Sequence, residues 1–293
     1  MLNRRFLSKA ESETIGRVLD WKGNLDELVQ ALNSFDEMRG YELVQFIGAG
    51  VNGAVFKICH PPSQHDSMIL KVFRVGRNEG QVQKAFARYG LAPQVRFMGR
   101  LQHFPVESKS ARPLNFLGMD EVDTTLEKML NRRGYAAASI DAVLHKVMGM
   151  LDTAYHQGLT HGDLHWDNIG LQFRQRRRSK ATDEDLLLNS DYVFLDFGEA
   201  HVFGKGQPAY PLLLDLLQLY RNARLDSNAE LLAAKEATTH AKKWNDIRAN
   251  WTRAQRYLEK ELHRRYPTVT LGNSTQVHTL YKNQRRLYDA TVG

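Results

Sequence analysis

His161-Gly162-Asp163-Leu164-His165-Trp166-Asp167-Asn168 sets an aspartate two residues after a histidine and an asparagine five residues after that aspartate. Working outward, the apolar run Tyr192-Val193-Phe194-Leu195 leads into Asp196-Phe197-Gly198. Upstream, Gly48-Ala49-Gly50-Val51-Asn52-Gly53-Ala54-Val55 separates two strand-like runs, and Lys71 is embedded in Met68-Ile69-Leu70-Lys71-Val72-Phe73. The order is therefore a glycine-rich turn, a strand lysine, an Asp-to-Asn loop and an Asp-Phe-Gly tripeptide. Glycines without a Cβ let backbone amides approach a ligand closely. A dinucleotide-binding turn requires a helix directly after its glycines; a β-rich run follows here, and that reading is rejected.

The chain has 293 residues, enough for one large domain or two smaller lobes. Its 42% hydrophobic and 25% charged residues are those of an ordinary globular protein. A formal charge of +7 favours anionic partners without choosing among nucleotides, acidic proteins, membranes and nucleic acid. The single cysteine, Cys59, excludes an internal disulfide framework and a cysteine-built zinc site. No apolar core follows the charged start Met1-Leu2-Asn3-Arg4-Arg5, and no apolar run reaches bilayer-spanning length. The expected location is cytoplasmic, with delivery into another cell left open.

Residues 1–40 read as a helical extension. Ser8 with Glu11 and Asn24 with Glu27 have capping-box spacing, and Leu25, Leu28, Val29, Leu32 and Phe35 form an apolar stripe. The stripe packs on the neighbouring lobe or, in the sharper reading, on a partner. Residues 41–119 read as β-rich: Tyr41–Ile47, Ala54–Ile58, Met68–Phe73, Val95–Met98 and Pro113–Met119 make a five-stranded antiparallel sheet. Pro61-Pro62 ends the second run, and a helix runs from Glu79 to Tyr89. Asp120–Thr124 is the connector. Residues 125–293 read as mostly helical, with a long amphipathic helix through Ile140–Tyr155 ended by Gly158. Two short strands, Ile169–Phe173 and Tyr192–Leu195, follow the central loop. Leu212–Tyr220 is buried in character.

This ordered set resembles the protein-kinase-like phosphotransferase superfamily over roughly residues 41–220. The resemblance implies an α+β, two-lobed protein-kinase-like fold that binds ATP and Mg²⁺. It implies a nucleotide held by Gly48, Gly50, Gly53, Val55, Lys71 and Glu79, and by Met119, Glu121 and Val122 about the connector. Lys71, costly to bury unless paired, would contact the α- and β-phosphates. Glu79 is the chosen ion-pair partner, although it follows Lys71 sooner than in eukaryotic protein kinases. Asp163 would orient the acceptor hydroxyl and take its proton, while Asn168 and Asp196 would hold magnesium through oxygen. His161 is read as bracing the loop, and Asp215 as a further brace from the buried helix.

The acceptor stays open. A protein Ser/Thr is preferred, on the compact C-terminal half and the glycine turn followed by Val55. Gly90-Leu91-Ala92-Pro93, the His165 that stands where protein kinases carry a lysine, and the missing Ala-Pro-Glu after Asp196-Phe197-Gly198 are similar to aminoglycoside and choline phosphotransferases. Pro208-Ala209-Tyr210-Pro211 is a loose stand-in for the missing tripeptide. A nucleotide-binding pseudokinase and an AMP-transferring enzyme complete the alternatives. Gly162, in place of an arginine that reads a phosphorylated activation loop, implies no activation by loop phosphorylation. The basic tract Arg174–Lys180 is either a solvated hairpin loop or an attachment site for nucleic acid, membrane or an acidic partner, the latter with steep salt dependence.

Overall fold

The computed structural model describes residues 8–19, 25–50, 53–60, 63–74, 78–104, 112–174, 181–203, 211–227 and 241–292. Asn24, Val51-Asn52, Pro61-Pro62, residues 175–180 of the basic tract and Pro208-Ala209-Tyr210 lie outside them. The fold is mixed α and β. The chain divides into two compact units, residues 1–87 with 93–121 and residues 88–92 with 122–293. The turn Gly90-Leu91-Ala92 thus groups with the second unit, and Leu91 accepts a backbone bond from Phe194.

In the first unit, helices α1 (Lys9–Val18) and α2 (Leu25–Asn33) precede strands β1 (Glu42–Gly50), β2 (Gly53–His60) and β3 (Ser63–Arg74). Helix α3 (Glu79–Ala87) and strands β4 (Val95–Phe104) and β5 (Arg112–Asp120) complete it. The strands form one antiparallel sheet in the order β1-β2-β3-β5-β4. Strands β3 and β4 run several residues beyond the predicted Met68–Phe73 and Val95–Met98. The residues added to β3 are polar; those added to β4 include Leu101, which packs against the core, and Phe104, and Gly99, Arg100, Leu101 and Phe104 pair with β5.

Side chains alternate between the faces of a strand. Ala54, Phe56, Ile58, Leu70, Val72 and Phe116 therefore share one face, and they pack in a buried cluster with Ile15, Leu19, Leu28 and Leu32. Each such buried large side chain contributes about 1.5–3 kcal/mol relative to exposure. Leu28 and Leu32 of the α2 stripe are thus buried against the sheet of their own unit. Ser8 and Glu11 form the predicted capping box at the start of α1. The opposite face carries Val55, Lys71 and Leu117 as successive cross-strand neighbours.

The second unit begins with β6 (Thr124–Thr125) and the short helix α4 (Leu126–Leu130), then α5 (Ala137–His156), β7 (Leu159–Thr160) and β8 (Ile169–Gln172). Thr124, read as connector, is thus the first residue of a strand that pairs with β8. Helix α5 buries the predicted stripe, and Gly158 just past its end takes φ +71, the left-handed value that favours glycine. The connection before β9 (Asp191–Phe194) holds α6 (Asp183–Asn189), a helix that has no counterpart among the elements read from the sequence. Its signal is a Thr182–Asp185 capping box that uses Asp in place of the usual Glu or Gln. After β10 (His201–Val202) come α7 (Leu213–Ser227), α8 (Ala241–Arg265) and α9 (Ser274–Val292). In α8, Ile247, Trp251, Ala254, Leu258 and Leu262 recur every three to four residues and are all buried. Among the described residues, no helix is long and apolar enough to cross a membrane.

Candidate active site

The His161–Asn168 loop is held from α7. Asp215, fully buried, accepts the His161 N–H at 3.2 Å through Oδ2 and the Gly162 N–H at 3.0 Å through Oδ1. Four residues on, the Leu219 carbonyl accepts the Trp166 indole N–H at 3.1 Å. Residues three and four apart share a helix face, so this one face of α7 carries the loop. Burial raises the Asp215 pKa, opposed by His161 and by the two N–H donors. Trp166 meets Trp251 edge to face, with ring centroids 5.5 Å apart.

His161 does what a brace does. Its Nε2 donates to the Leu195 carbonyl at 2.8 Å and its Nδ1 accepts the Asp163 N–H at 3.4 Å, an arrangement the neutral Nε2–H tautomer satisfies. The ring also packs on Phe197, with centroids 5.6 Å apart. Asn168 Nδ2 donates to the Asp163 carbonyl at 3.0 Å, and the Leu195 N–H donates to the Asn168 carbonyl at 2.9 Å. Asp163, Asn168 and the residue before Asp196 are thereby joined in one hydrogen-bonded frame. Asp196 is exposed and takes φ 56, the left-handed region that Asp tolerates better than most residues. Backbone held this way costs about 1–3 kcal/mol and persists where its surroundings fix it.

Three helical side chains were missed by the sequence reading. Gln218 Nε2 donates to Asp163 Oδ1 at 2.6 Å. Arg285 of α9 donates to the Gly162 carbonyl at 2.8 Å and to Glu199 Oε2 at 2.7 Å. The Tyr288 hydroxyl donates to the Glu199 carbonyl at 2.7 Å. Gln218 carried a readable signal, a second polar residue three positions after Asp215 in an apolar run. Arg285 and Tyr288 carried none, because their partners lie more than eighty residues away.

In the first unit, Lys71 Nζ donates to Glu79 Oε1 at 2.5 Å, with side-chain exposures of 7% and 2%. Glu79 opens α3, where a helix N-terminus favours a carboxylate. The pair shares the sheet face that bears Val55. Gly48 and Gly50 end β1 and Gly53 opens β2; Gly53, at φ +154, would push a Cβ to 2.4 Å from the Val72 carbonyl. Met119 accepts from Gln83 at 3.4 Å. Glu121 uses its carboxylate on Lys57 at 2.6 Å and Ser67 at 2.5 Å. Val122, the first residue of the second unit after the crossing, packs over Gly170. Gly48, Gly50, Gly53, Val55, Lys71, Glu79, Met119 and Glu121 belong to the first unit, and Val122, Asp163, Asn168 and Asp196 to the second.

Arg174, at the edge of the basic tract, forks onto Asp191. That ion pair raises the arginine pKa and lowers the aspartate pKa. Among the described residues, no three His, Cys, Asp or Glu side chains gather as a metal site.

The chain matches no protein-family model and no curated protein. A solved structure, WaaP in complex with acyl carrier protein, aligns over 94% of this chain and 97% of that one. The two share 14% identity and the superposition has a TM-score of 0.47.

Proposed function

We propose that this protein is an ATP-dependent phosphotransferase of the protein-kinase-like type, moving the γ-phosphoryl group of ATP to a hydroxyl. The observation that carries the reading is the frame joining Asp163, Asn168 and the Asp196 segment. It ties the backbone of Asp163 and of Leu195, the residue before Asp196, to Asn168, which supports reading the three residues as one site. Asn168 donates through Nδ2, so its Oδ1 is the atom offered to a cation, and Asp196 offers an exposed carboxylate. These two residues would hold magnesium through oxygen, and the ion would screen the phosphate charge.

Each residue then has a task. Asp163 accepts the hydrogen bond of the acceptor hydroxyl and receives its proton as the new P–O bond forms. The bond from the γ-phosphorus to the β–γ bridging oxygen breaks, and ADP leaves with that electron pair. Lys71, held by Glu79, presents its ammonium to the α- and β-phosphates. The backbone at Gly48, Gly50 and Gly53 approaches the phosphate oxygens.

A protein Ser/Thr acceptor is the first reading, favoured by the minimal C-terminal half and the glycine turn followed by Val55. A small hydroxyl compound is the second reading, favoured by α9, whose Tyr281 reaches Gln218 and whose Arg285 reaches the catalytic loop. Incubation with γ-labelled ATP and Mg²⁺, with a basic protein or a panel of polyols and amino alcohols, separates these readings. A fall in transfer of about a hundred- to ten-thousandfold is expected in Asp163→Ala, with residual turnover remaining. A wild-type protein that neither binds ATP nor transfers label overturns the proposal. Label on protein identifies the first acceptor class, and turnover stimulated only by a small compound identifies the second.

A further inference from the structure

Gln218 is a polar residue inside an apolar helix, 3% exposed, between the buried Leu217 and Leu219. Packing alone would be served by another leucine. Its amide instead spans two hydrogen bonds, donating to Asp163 Oδ1 at 2.6 Å and accepting the Tyr281 hydroxyl at 3.3 Å. The amide orientation follows from its partners: reversed, Oε1 would face the Asp163 carboxylate, acceptor against acceptor. Tyr281 is fixed in turn beneath Arg221, whose guanidinium carbon lies 4.4 Å from the ring centroid. Burial raises the Tyr281 pKa.

A carboxylate that turns freely about its Cα–Cβ and Cβ–Cγ bonds offers its lone pairs in many directions. Oδ1 of Asp163 is committed to Gln218, which leaves Oδ2 for the acceptor hydroxyl. We infer that Gln218, backed by Tyr281, is a positioning residue that locks the Asp163 carboxylate in the rotamer needed to receive the acceptor's proton. The chain Tyr281–Gln218–Asp163 runs from α9 through α7 to the catalytic loop. It rests on the assignment of Asp163 as the proton acceptor, and it adds two residues to that site from helices outside the sequence motifs. A preformed carboxylate is worth more in the transition state than in ground-state nucleotide binding, so the effect belongs in turnover and not in ATP affinity.

The test uses the full chain with γ-labelled ATP and Mg²⁺, reading phosphate release to water and to basic protein. Gln218→Met keeps the volume and removes the donor; Tyr281→Phe removes only the hydroxyl. Losing a hydrogen bond to a charged group lowers kcat about ten- to hundredfold in Gln218→Met, with the KM for ATP held within about twofold. Tyr281→Phe loses about two- to tenfold. In an Asp163→Asn background, Gln218→Met brings no further loss, because the group it positions is already gone. A Gln218→Met protein with wild-type kcat overturns the inference, as does an equal loss in both backgrounds, which a purely structural role would give. If Gln218→Met fails to fold, Tyr281→Phe in the two backgrounds carries the same comparison. A wild type without ATP turnover overturns the functional reading and the relay together, whereas an active wild type with an insensitive Gln218 overturns the relay alone.

Discussion

Arg285 and Gly162 are joined at 2.8 Å, guanidinium to carbonyl, across more than a hundred residues of chain. The other backbone group of Gly162, its N–H, is held by Asp215 at 3.0 Å. One glycine of the His161–Asn168 loop is therefore clamped from both sides, by α7 through its amide and by α9 through its carbonyl. Arg285 continues to Glu199 at 2.7 Å, which ties the Asp-Phe-Gly segment to the same clamp. Gly162 is thus bonded by an arginine that comes from a helix far along the chain.

Gly162→Ala is expected to lose activity and stability together. The residue takes φ +78, and an added Cβ would lie 2.5 Å from the Glu199 carbonyl and 2.9 Å from the Tyr288 ring. A side chain in the left-handed region costs about 1–2 kcal/mol before the clash with backbone is counted. Urea unfolding paired with ATP turnover measures both losses. An alanine protein as stable and active as wild type would refute the clamp.

Arg285→Lys separates charge from geometry. A lysine keeps the positive charge yet cannot bond the Gly162 carbonyl and Glu199 together in a planar fork. The expected result is a kcat lowered about tenfold with stability reduced by about 1 kcal/mol. A lysine variant with wild-type kcat would show that charge near Glu199 suffices.

The glycine turn offers a cleaner comparison. Among the described residues, a Cβ at Gly48 or Gly50 meets nothing within 4 Å, whereas at Gly53 it meets the Val72 carbonyl at 2.4 Å. Gly53→Ala should lower the melting temperature. Gly48→Ala and Gly50→Ala should leave melting unchanged and weaken ATP, because only a bound phosphate would meet the new methyl groups. Calorimetric ATP titration beside thermal melts decides it; unchanged ATP affinity in both variants would remove this turn from the site.

Breaking the Lys71–Glu79 pair should cost more than removing it. Lys71→Met or Glu79→Leu alone disturbs a buried ion pair, at about 3–5 kcal/mol. The double variant replaces both charges with apolar side chains and should recover much of that stability while remaining unable to transfer phosphate. Single variants as stable as the double one would contradict this account.

Asp215 makes a prediction about pH. Burial raises its folded-state pKa above the unfolded value. Its contribution to stability is therefore complete below about pH 4 and is lost as pH rises through the folded value. Asp215→Asn removes that slope and also loses an acceptor for one loop N–H, at about 1–3 kcal/mol. Urea midpoints from pH 4 to pH 8 should show a stability gap between the two proteins that narrows as pH rises. A gap that widened with pH would reverse the assignment.

Much of this was legible in short stretches. Asp163 with Asn168, Asp196 with its following glycine, and Lys71 within its strand declare themselves by spacing within a few residues. Asp215 was readable as a carboxylate in an apolar helix. The clamp was not readable, because Tyr281, Arg285 and Tyr288 look like the polar and aromatic positions of any amphipathic helix; only tertiary packing brings them to residues 162, 199 and 218. The sheet was readable in its apolar centres and unclear at its ends, where β3 extends through polar residues and β4 through a stretch in which Leu101 and Phe104 are spaced by polar residues without strand alternation. Helix α6 escaped for a related reason: its cap uses Asp185, one methylene shorter than the residue the capping rule names.

The α9 clamp also sets an order on the making of the protein. A ribosome that has delivered residue 230 has already released every residue that the motifs mark for chemistry, from Gly48 to Asp196. The helix that fastens the catalytic loop has not yet been translated. The second fastening of the loop therefore arrives after the motif residues themselves, and a chain stalled or clipped before Tyr281 would carry a full set of motifs with a loop held from one side only.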